Sequence, residues 1–262
     1  MLSKFCFFLA FISLSCSKKE DFSAIKIFGH AGMGINMPSS IYHDNSLEAI
    51  ELGLTIPGSN GVEIDIQMDK NGRLWVFHDE TLNKETDGEN CIASNTTEYL
   101  KTIRYTSLKN EKLIQLSQVP FHSYHEKLFF FDIKTWDKCS QSSVSIAEFK
   151  NAIIKLGLPT NCVLILSNPS WISHLTDHFE VYFASDDFDF GKKILAQYPQ
   201  VRGLIIRNAA VISSQVNEII DLNKEIYLFE IRSPKGVNDA LQKRPSGLIS
   251  DDLRSAISAV NN

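Results

Sequence analysis

The strongest constraint on this fold is a rhythm: eight short apolar runs, most of them followed by a longer stretch whose apolar residues fall at helical spacing. The runs are Ile25 to Phe28, Gly61 to Gln67, Leu128 to Lys134, Cys162 to Leu166, Val181 to Ala184, Gly203 to Arg207, Glu225 to Phe229 and Gly247 to Ile249. Helical spacing follows over 46–55, 145–157, 170–178, 190–198, 210–222, 234–243 and 252–260. Leu128-Phe129-Phe130-Phe131 and Val163-Leu164-Ile165-Leu166 are apolar on both faces, as parallel strands covered by helices must be. Alternation of this kind builds βαβ units, and eight of them predict an α/β chain closed into a (β/α)8 TIM barrel, with an open doubly wound sheet as the alternative. A chain of 262 residues holds one such barrel, expected over 25–262. The rhythm breaks between Gly72 and Leu128, where a short strand, Arg73 to Phe77, precedes a polar stretch and a helix at Thr97 to Ile103. This predicts a small insertion over about 79–127, on the face where barrel strands end, walling the pocket.

The first residues read as an address. Phe5 to Leu14 is an apolar run of ten behind Lys4, whereas about 20 apolar residues are needed to span a bilayer. It fits a signal peptide over 1–15. Ser13-Leu14-Ser15-Cys16 resembles a bacterial lipoprotein cleavage site, which would leave Cys16 lipidated at the head of a polar tether over 16–24; a plain secretory signal is the alternative. Either route carries the chain across a membrane. The lipoprotein reading places it in the cell envelope, periplasmic or at the surface, with a lipid on Cys16 as its membrane partner.

Composition narrows the partners. Lys+Arg 26 against Asp+Glu 31 gives a net charge of −5, so no basic footprint for nucleic acid exists. With 44% hydrophobic residues, the chain can bury a sizeable core. Once Cys6 and Cys16 are set aside, Cys91, Cys139 and Cys162 show no C-x-x-C spacing, so at most one disulfide is allowed and no zinc cage is implied.

The chemistry gathers at strand ends. In Val62-Glu63-Ile64-Asp65-Ile66-Gln67 the two-residue period puts Glu63, Asp65 and Gln67 on one side. A half-exposed antiparallel strand could carry them on a wet face. In a parallel barrel they must face the interior or its mouth, where like charges repel unless a cation lies between them, and oxygen ligands favour Mg²⁺ or Ca²⁺. Leu128 to Phe131 runs into Asp132-Ile133-Lys134, which sets Asp132 and Lys134 on one side. They read either as a local ion pair, or as a third metal carboxylate and a fixed charge for an anionic substrate. His30 follows the first run between glycines, and His78 ends Leu74-Trp75-Val76-Phe77-His78. Two imidazoles at strand ends beside a carboxylate pair suit general acid and base duty. His43, His122 and His125 read as loop residues.

The order His30, Asn45-Ser46, Gly61-Val62-Glu63-Ile64-Asp65, His78-Asp79 resembles the glycerophosphodiester phosphodiesterase family, whose pattern runs H-R-G, P-E-N-T, G-a-d-x-x-E-x-D, H-D. Similarity extends over roughly 26–260 through Asp79-Glu80-Thr81-Leu82, Asp132-Ile133-Lys134 and Ser250-Asp251. The resemblance implies a TIM barrel that hydrolyses small-molecule glycerophosphodiesters to an alcohol and glycerol 3-phosphate. His30 and His78 would be the acid and base, Glu63, Asp65 and Asp132 would hold one divalent cation, Mg²⁺ or Ca²⁺, and Lys134 would contact phosphate. The attacking oxygen is either water or a neighbouring glycerol hydroxyl. Three residues depart from the pattern: Ala31 stands at the family's arginine, Asp132 at a glutamate and Asp44 at the glutamate of P-E-N-T. These departures also admit an enzyme of phospholipase C or D type acting on intact lipid, or a non-catalytic lipoprotein that binds a phosphate ligand.

Overall fold

The computed structural model describes residues 21–35, 37 and 40–261. The expected signal peptide and Cys16 lie outside the described residues, as does most of the expected tether. Its last four residues are described, and there Phe22 rests against the core with the Arg244 guanidinium 5.6 Å from its ring centroid. No helix among the described residues is long and apolar enough to cross a membrane.

Among the described residues twelve strands appear in chain order: β1 (Lys26–Gly29), β2 (Gly61–Met68), β3 (Leu74–Val76), β4 (Ile114–Gln115), β5 (Leu128–Ile133), β6 (Trp136–Asp137), β7 (Ser142–Ser143), β8 (Cys162–Leu166), β9 (Val181–Ala184), β10 (Gly203–Arg207), β11 (Glu225–Ile231) and β12 (Gly247–Ser250). Eight of them, β1, β2, β5 and β8 to β12, run parallel, and the ring closes because β1 pairs with both β12 and β2. The closed barrel agrees with the sequence expectation and excludes the open sheet. Helices α1 (Leu47–Thr55), α2 (Thr97–Leu100), α3 (Ile146–Leu156), α4 (Ile172–Leu175), α5 (Phe188–Gln197), α6 (Ser213–Asp221), α7 (Pro234–Gln242) and α8 (Leu253–Asn261) complete the described regular structure, apart from short 3₁₀ turns.

Strand alternation divides the apolar residues into two layers. Phe28, Phe130, Val163, Ile165, Tyr182, Ile205, Tyr227 and Ile249 fill the interior. Phe28 and Phe130 meet edge to face at 5.0 Å, and Phe130 and Tyr227 do the same. Their neighbours in sequence, such as Phe129, Phe131 and Leu228, face outward into the helix layer. The interior is therefore a packed plug, and the ends of the strands beyond it form the floor of the mouth.

Local chemistry explains the helix starts. Ser46, Ser145, Asp187 and Ser233 each accept a backbone N–H of the first helical turn. One helix is much shorter than its periodicity predicts. Within 170–178 only Ile172–Leu175 is α-helical, because Asn168 caps a separate 3₁₀ turn at Pro169–Trp171 that takes up the start of the segment.

Beyond β2 the chain turns back. β3 pairs antiparallel with the end of β2, and β4 adds to β3. β4 and the β6–β7 hairpin are too short to show in the sequence pattern. Trp75, Phe77, Leu82, Ile92, Leu100, Ile103, Tyr105 and Leu113 form a small core of their own there. A disulfide from Cys91 to Cys139 ties this segment to the loop after β5, and Lys138 pairs with Glu80 across the same junction.

Candidate active site

Two adjacent barrel strands deliver the three acidic groups. Asp65 of β2 and Asp132 of β5 are register partners, so a single rung of the sheet aligns their side chains at the mouth. Glu63 lies one inward position deeper. Carboxylate oxygens of Glu63, Asp65 and Asp132 all come within 4.8 Å of one another. Glu63 and Asp65 are buried, and Asp132 is half-buried. Nζ of Lys134 lies 2.7 Å from Asp65 Oδ1 and 2.6 Å from Asp132 Oδ2. It pairs with two of the three acids, Asp65 and Asp132.

Electrostatics follow from that arrangement. Burial raises Glu63 to about 8, and the nearby Asp65 charge adds to the effect. Burial also disfavours ionised Asp65, but the Lys134 ammonium outweighs it and holds this carboxyl at about 2. Lys134 is pushed above the ordinary lysine range by Asp132 and Asp65 in spite of its own burial.

His30 leaves β1 into a tight turn. Ala31 there adopts a left-handed conformation (φ 47°), which aims its N–H at Glu63 Oε2, 3.0 Å away. Gly32 follows at φ 92°, where a Cβ would lie 2.7 Å from the backbone of Ala49, so the turn packs directly on α1. The imidazole is oriented from behind. Its Nδ1 lies 2.8 Å from Oδ1 of Asp251, just past β12, and Nε2 consequently faces Glu63 Oε2 at 3.7 Å. Burial opposes protonation of this ring, but the Asp251 hydrogen bond and the Glu63 charge outweigh it and raise His30 to about 9.

His78 is backed by a carboxylate in the same way. Its Nδ1 lies 2.8 Å from Asp79 Oδ1, and its side chain is 37% exposed against 15% for His30. Gln67 fixes the turn that carries it, donating from Nε2 to the carbonyls of Phe77 (3.0 Å) and Asp79 (2.8 Å). His78 lies near enough to Asp65 for the two to interact, as His30 does with Glu63. The structure thus brings His30, Glu63, Asp65, His78, Asp132 and Lys134 to one end of the barrel.

Several supporting residues stand out in the sequence only as parts of short motifs or as loop residues. Asn45, itself left-handed (φ 58°), donates from Nδ2 to Asp65 Oδ2 at 2.7 Å and accepts the Asp65 N–H at 3.1 Å. Asp251 and Asp79 are visible only as members of short motifs. His43, which reads as a loop residue, is half-buried and stacks on Tyr105 at 3.9 Å. Its N–H reaches Glu111 Oε1 at 2.9 Å, and Glu85 Oε2 lies 3.8 Å from its Nε2. These contacts press the β3–β5 segment against the loop that carries Asn45.

The arrangement suits a small anionic substrate. Three hard oxygen donors in one corner fit Mg²⁺ or Ca²⁺.

Comparison with known proteins gives the same direction. The profile of the glycerophosphoryl diester phosphodiesterase family matches residues 30–234. Over 76 residues the chain is 41% identical to a glycerophosphodiester phosphodiesterase of Bacillus altitudinis, a match that spans 29% of each chain and so under a third of that relative's length. An Oleispira antarctica phosphodiesterase, solved in complex with the product sn-glycerol-3-phosphate, superposes with a TM-score of 0.75 at 19% identity, over 90% of this chain and 97% of that one. A glycerophosphodiester phosphodiesterase from Parabacteroides distasonis gives a TM-score of 0.71 at 18% identity, over 91% and 97%. At such identities the structural likeness is one of fold.

Proposed function

The chain belongs to the glycerophosphoryl diester phosphodiesterase family, and from that premise we propose that it hydrolyses glycerophosphodiesters to an alcohol and glycerol 3-phosphate. The observation that carries this reading is the pair of Asp-backed imidazoles, His30 on Asp251 and His78 on Asp79, at the same end of the barrel as the Glu63, Asp65 and Asp132 trio, with His30 beside Glu63 and His78 near enough to act on Asp65. A phosphodiester needs one proton removed from the attacking oxygen and one delivered to the departing alkoxide, and this pair offers both.

The two rings divide the work by their surroundings. His30 faces Asp251, Glu63 and Asp65 and holds its proton, with a value raised to about 9, so it serves as the acid toward the leaving oxygen. A divalent cation on Glu63 would draw that value back toward neutrality while the Asp251 bond keeps the ring in place. His78 has its Nδ1–H committed to Asp79, which leaves the Nε2 lone pair for the attacking oxygen. Glu63, Asp65 and Asp132 would hold one Mg²⁺ or Ca²⁺, whose charge offsets that of the phosphoryl oxygens. Lys134 holds Asp65 and Asp132 together, and its third N–H would contact the phosphate.

The leader and the disulfide support a site of action outside the cytoplasm. A Cys91–Cys139 bond belongs to an oxidising compartment, which supports export to the cell envelope and, with Cys16, a lipid anchor. The function is tested by incubating the purified protein with a panel of glycerophosphodiesters and measuring glycerol 3-phosphate. Release by the wild type that falls at least 100-fold in both His30→Ala and His78→Ala supports it. Release that persists in either variant contradicts the assignment.

A further inference from the structure

We propose that Arg232 binds the phosphoryl oxygens of substrate and product, supplying the guanidinium that position 31 lacks. The inference rests on the hydrolytic reading above. It begins from a shortage of free donors. Ala31 is buried, offers no side-chain donor and spends its N–H on Glu63. Lys134 is held by Asp65 and Asp132 at 2.7 and 2.6 Å. His30 has one nitrogen committed to Asp251. Arg207, at the end of β10, donates from Nε to Asp186 at 2.7 Å, pairs through Nη1 with Glu230 and lies over the Phe229 ring. Every cationic group so far described at this end of the barrel is at least partly spent.

Arg232 is different. It follows β11 directly, and its side chain is 56% exposed. Nη2 lies 3.4 Å from Glu230 Oε1 and Nε 3.6 Å from Asp251 Oδ2, and neither contact has hydrogen-bond geometry. Among the described residues its guanidinium makes these two ion pairs and no hydrogen bond. It stands beside the carboxylate that holds His30, one side chain away from the imidazole. Oδ2 of Asp251 is buried and has no hydrogen-bond partner, so the guanidinium offsets its charge without being consumed by it.

The strand is bent to bring this about. The register between β11 and β12 shifts between Leu228 and Ile231, and Glu230 in the bulge takes a left-handed conformation (φ 60°), which is strained for a non-glycine residue. The carbonyl of Ile231 then accepts the N–H groups of both Asp251 (3.0 Å) and Asp252 (3.1 Å), which locks the bulge to the Asp251 turn. Bulges of this kind re-aim the residues at a strand end. Here the re-aimed residue is a planar fork that matches two phosphoryl oxygens at once.

Arg232→Met and Arg232→Lys in the full chain test the proposal, with calorimetric binding of sn-glycerol 3-phosphate and steady-state hydrolysis as separate readouts. For Arg232→Met, loss of a charge-assisted contact predicts a Kd for glycerol 3-phosphate and a KM both raised about 10- to 100-fold, with a much smaller fall in kcat and an unmoved pH profile. Arg232→Lys, which keeps the charge and loses the fork, should fall between the two. Unchanged KM and product affinity in Arg232→Met, or in Arg232→Lys if the first variant fails to fold, would overturn the proposal. So would a loss confined to kcat with a displaced pH profile, since that would mean action through Asp251. Binding is read without turnover: a chain that holds glycerol 3-phosphate through Arg232 yet cleaves no diester contradicts the hydrolytic reading and leaves this one standing. A wild type that binds no glycerol 3-phosphate overturns this one.

Discussion

Nδ1 of His30 and Oδ1 of Asp251 lie 2.8 Å apart although 221 residues separate them in sequence. The contact crosses the seam where β1 meets β12, with Gly29 and Ser250 in register one position before each. Closure of the barrel therefore also sets the tautomer of the imidazole: the carboxylate accepts from Nδ1, and Nε2 is left for chemistry.

Asp251→Asn keeps the size of the side chain and removes the charge that holds the proton on His30. The expected result is a fall in kcat of about 100-fold with little change in KM, within the range typical of general acid and base groups. The alkaline limb of the pH profile should move to lower pH, because the interaction that raises His30 is lost. Steady-state rates from pH 6 to 10 would show this, and an unmoved limb would mean that Asp251 is only structural.

Metal and proton compete for Glu63. In metal-free protein Glu63 stands at about 8 and His30 at about 9, both above their ordinary values of 4.5 and 6.5. Each contributes stability that is complete below its ordinary value and is lost as pH rises through the folded one. Asp65, held at about 2, acts in the opposite sense, with a contribution present above 3.8 and lost as pH falls toward 2. Melting temperatures in chelator should accordingly decline from about pH 5 to about pH 9. Saturating Mg²⁺ or Ca²⁺ should flatten the decline, and its binding at pH 7 should release close to one proton. An identical pH slope with and without metal would show that the cation does not bind at Glu63.

The disulfide holds the β3–β5 segment, which carries the turn after His78, to the loop after Lys134. Its reduction, or Cys139→Ser, should lower stability by about 2 to 4 kcal/mol, since a bridge closing a loop of this length constrains the unfolded chain by that amount. The buried thiol of Cys162, pushed up to about 12 by burial, should stay unreactive toward alkylating agents in the native state. Differential melts with and without reductant, with thiol counting, would check both, and equal melts would show that the bridge bears no structural load.

Phe130 touches Phe28, Tyr182 and Tyr227 at the centre of the interior plug. Phe130→Ala should cost about 3 to 5 kcal/mol by urea unfolding, because the closed ring of strands collapses poorly onto a cavity. A cost below about 1 kcal/mol would mean that the interior is not packed as described.

The barrel was legible because parallel strands buried on both faces leave runs such as Leu128 to Phe131, which no amphipathic strand shows. The acidic face of β2 was legible because alternation survives when Val62, Ile64 and Ile66 pack outward and Glu63 and Asp65 point in. What stayed hidden depends on closure or on the bulge. Asp251 gains its meaning only when β12 returns beside β1. Asn45 serves Asp65 through a left-handed backbone that local pattern does not reveal. Arg232 is an ordinary strand-end residue until Glu230 bends the chain. The loop reading of His43 missed its stacking on Tyr105, since that contact joins segments 62 residues apart.

The most direct test of the central claim is the divalent-cation dependence of glycerophosphodiester hydrolysis by the wild type and by Glu63→Gln. The account predicts that chelation abolishes release of glycerol 3-phosphate, that one equivalent of Mg²⁺ or Ca²⁺ restores it, and that Glu63→Gln recovers activity at no physiological metal concentration. Full turnover in chelator, or a Glu63→Gln variant as active as the wild type, would contradict it.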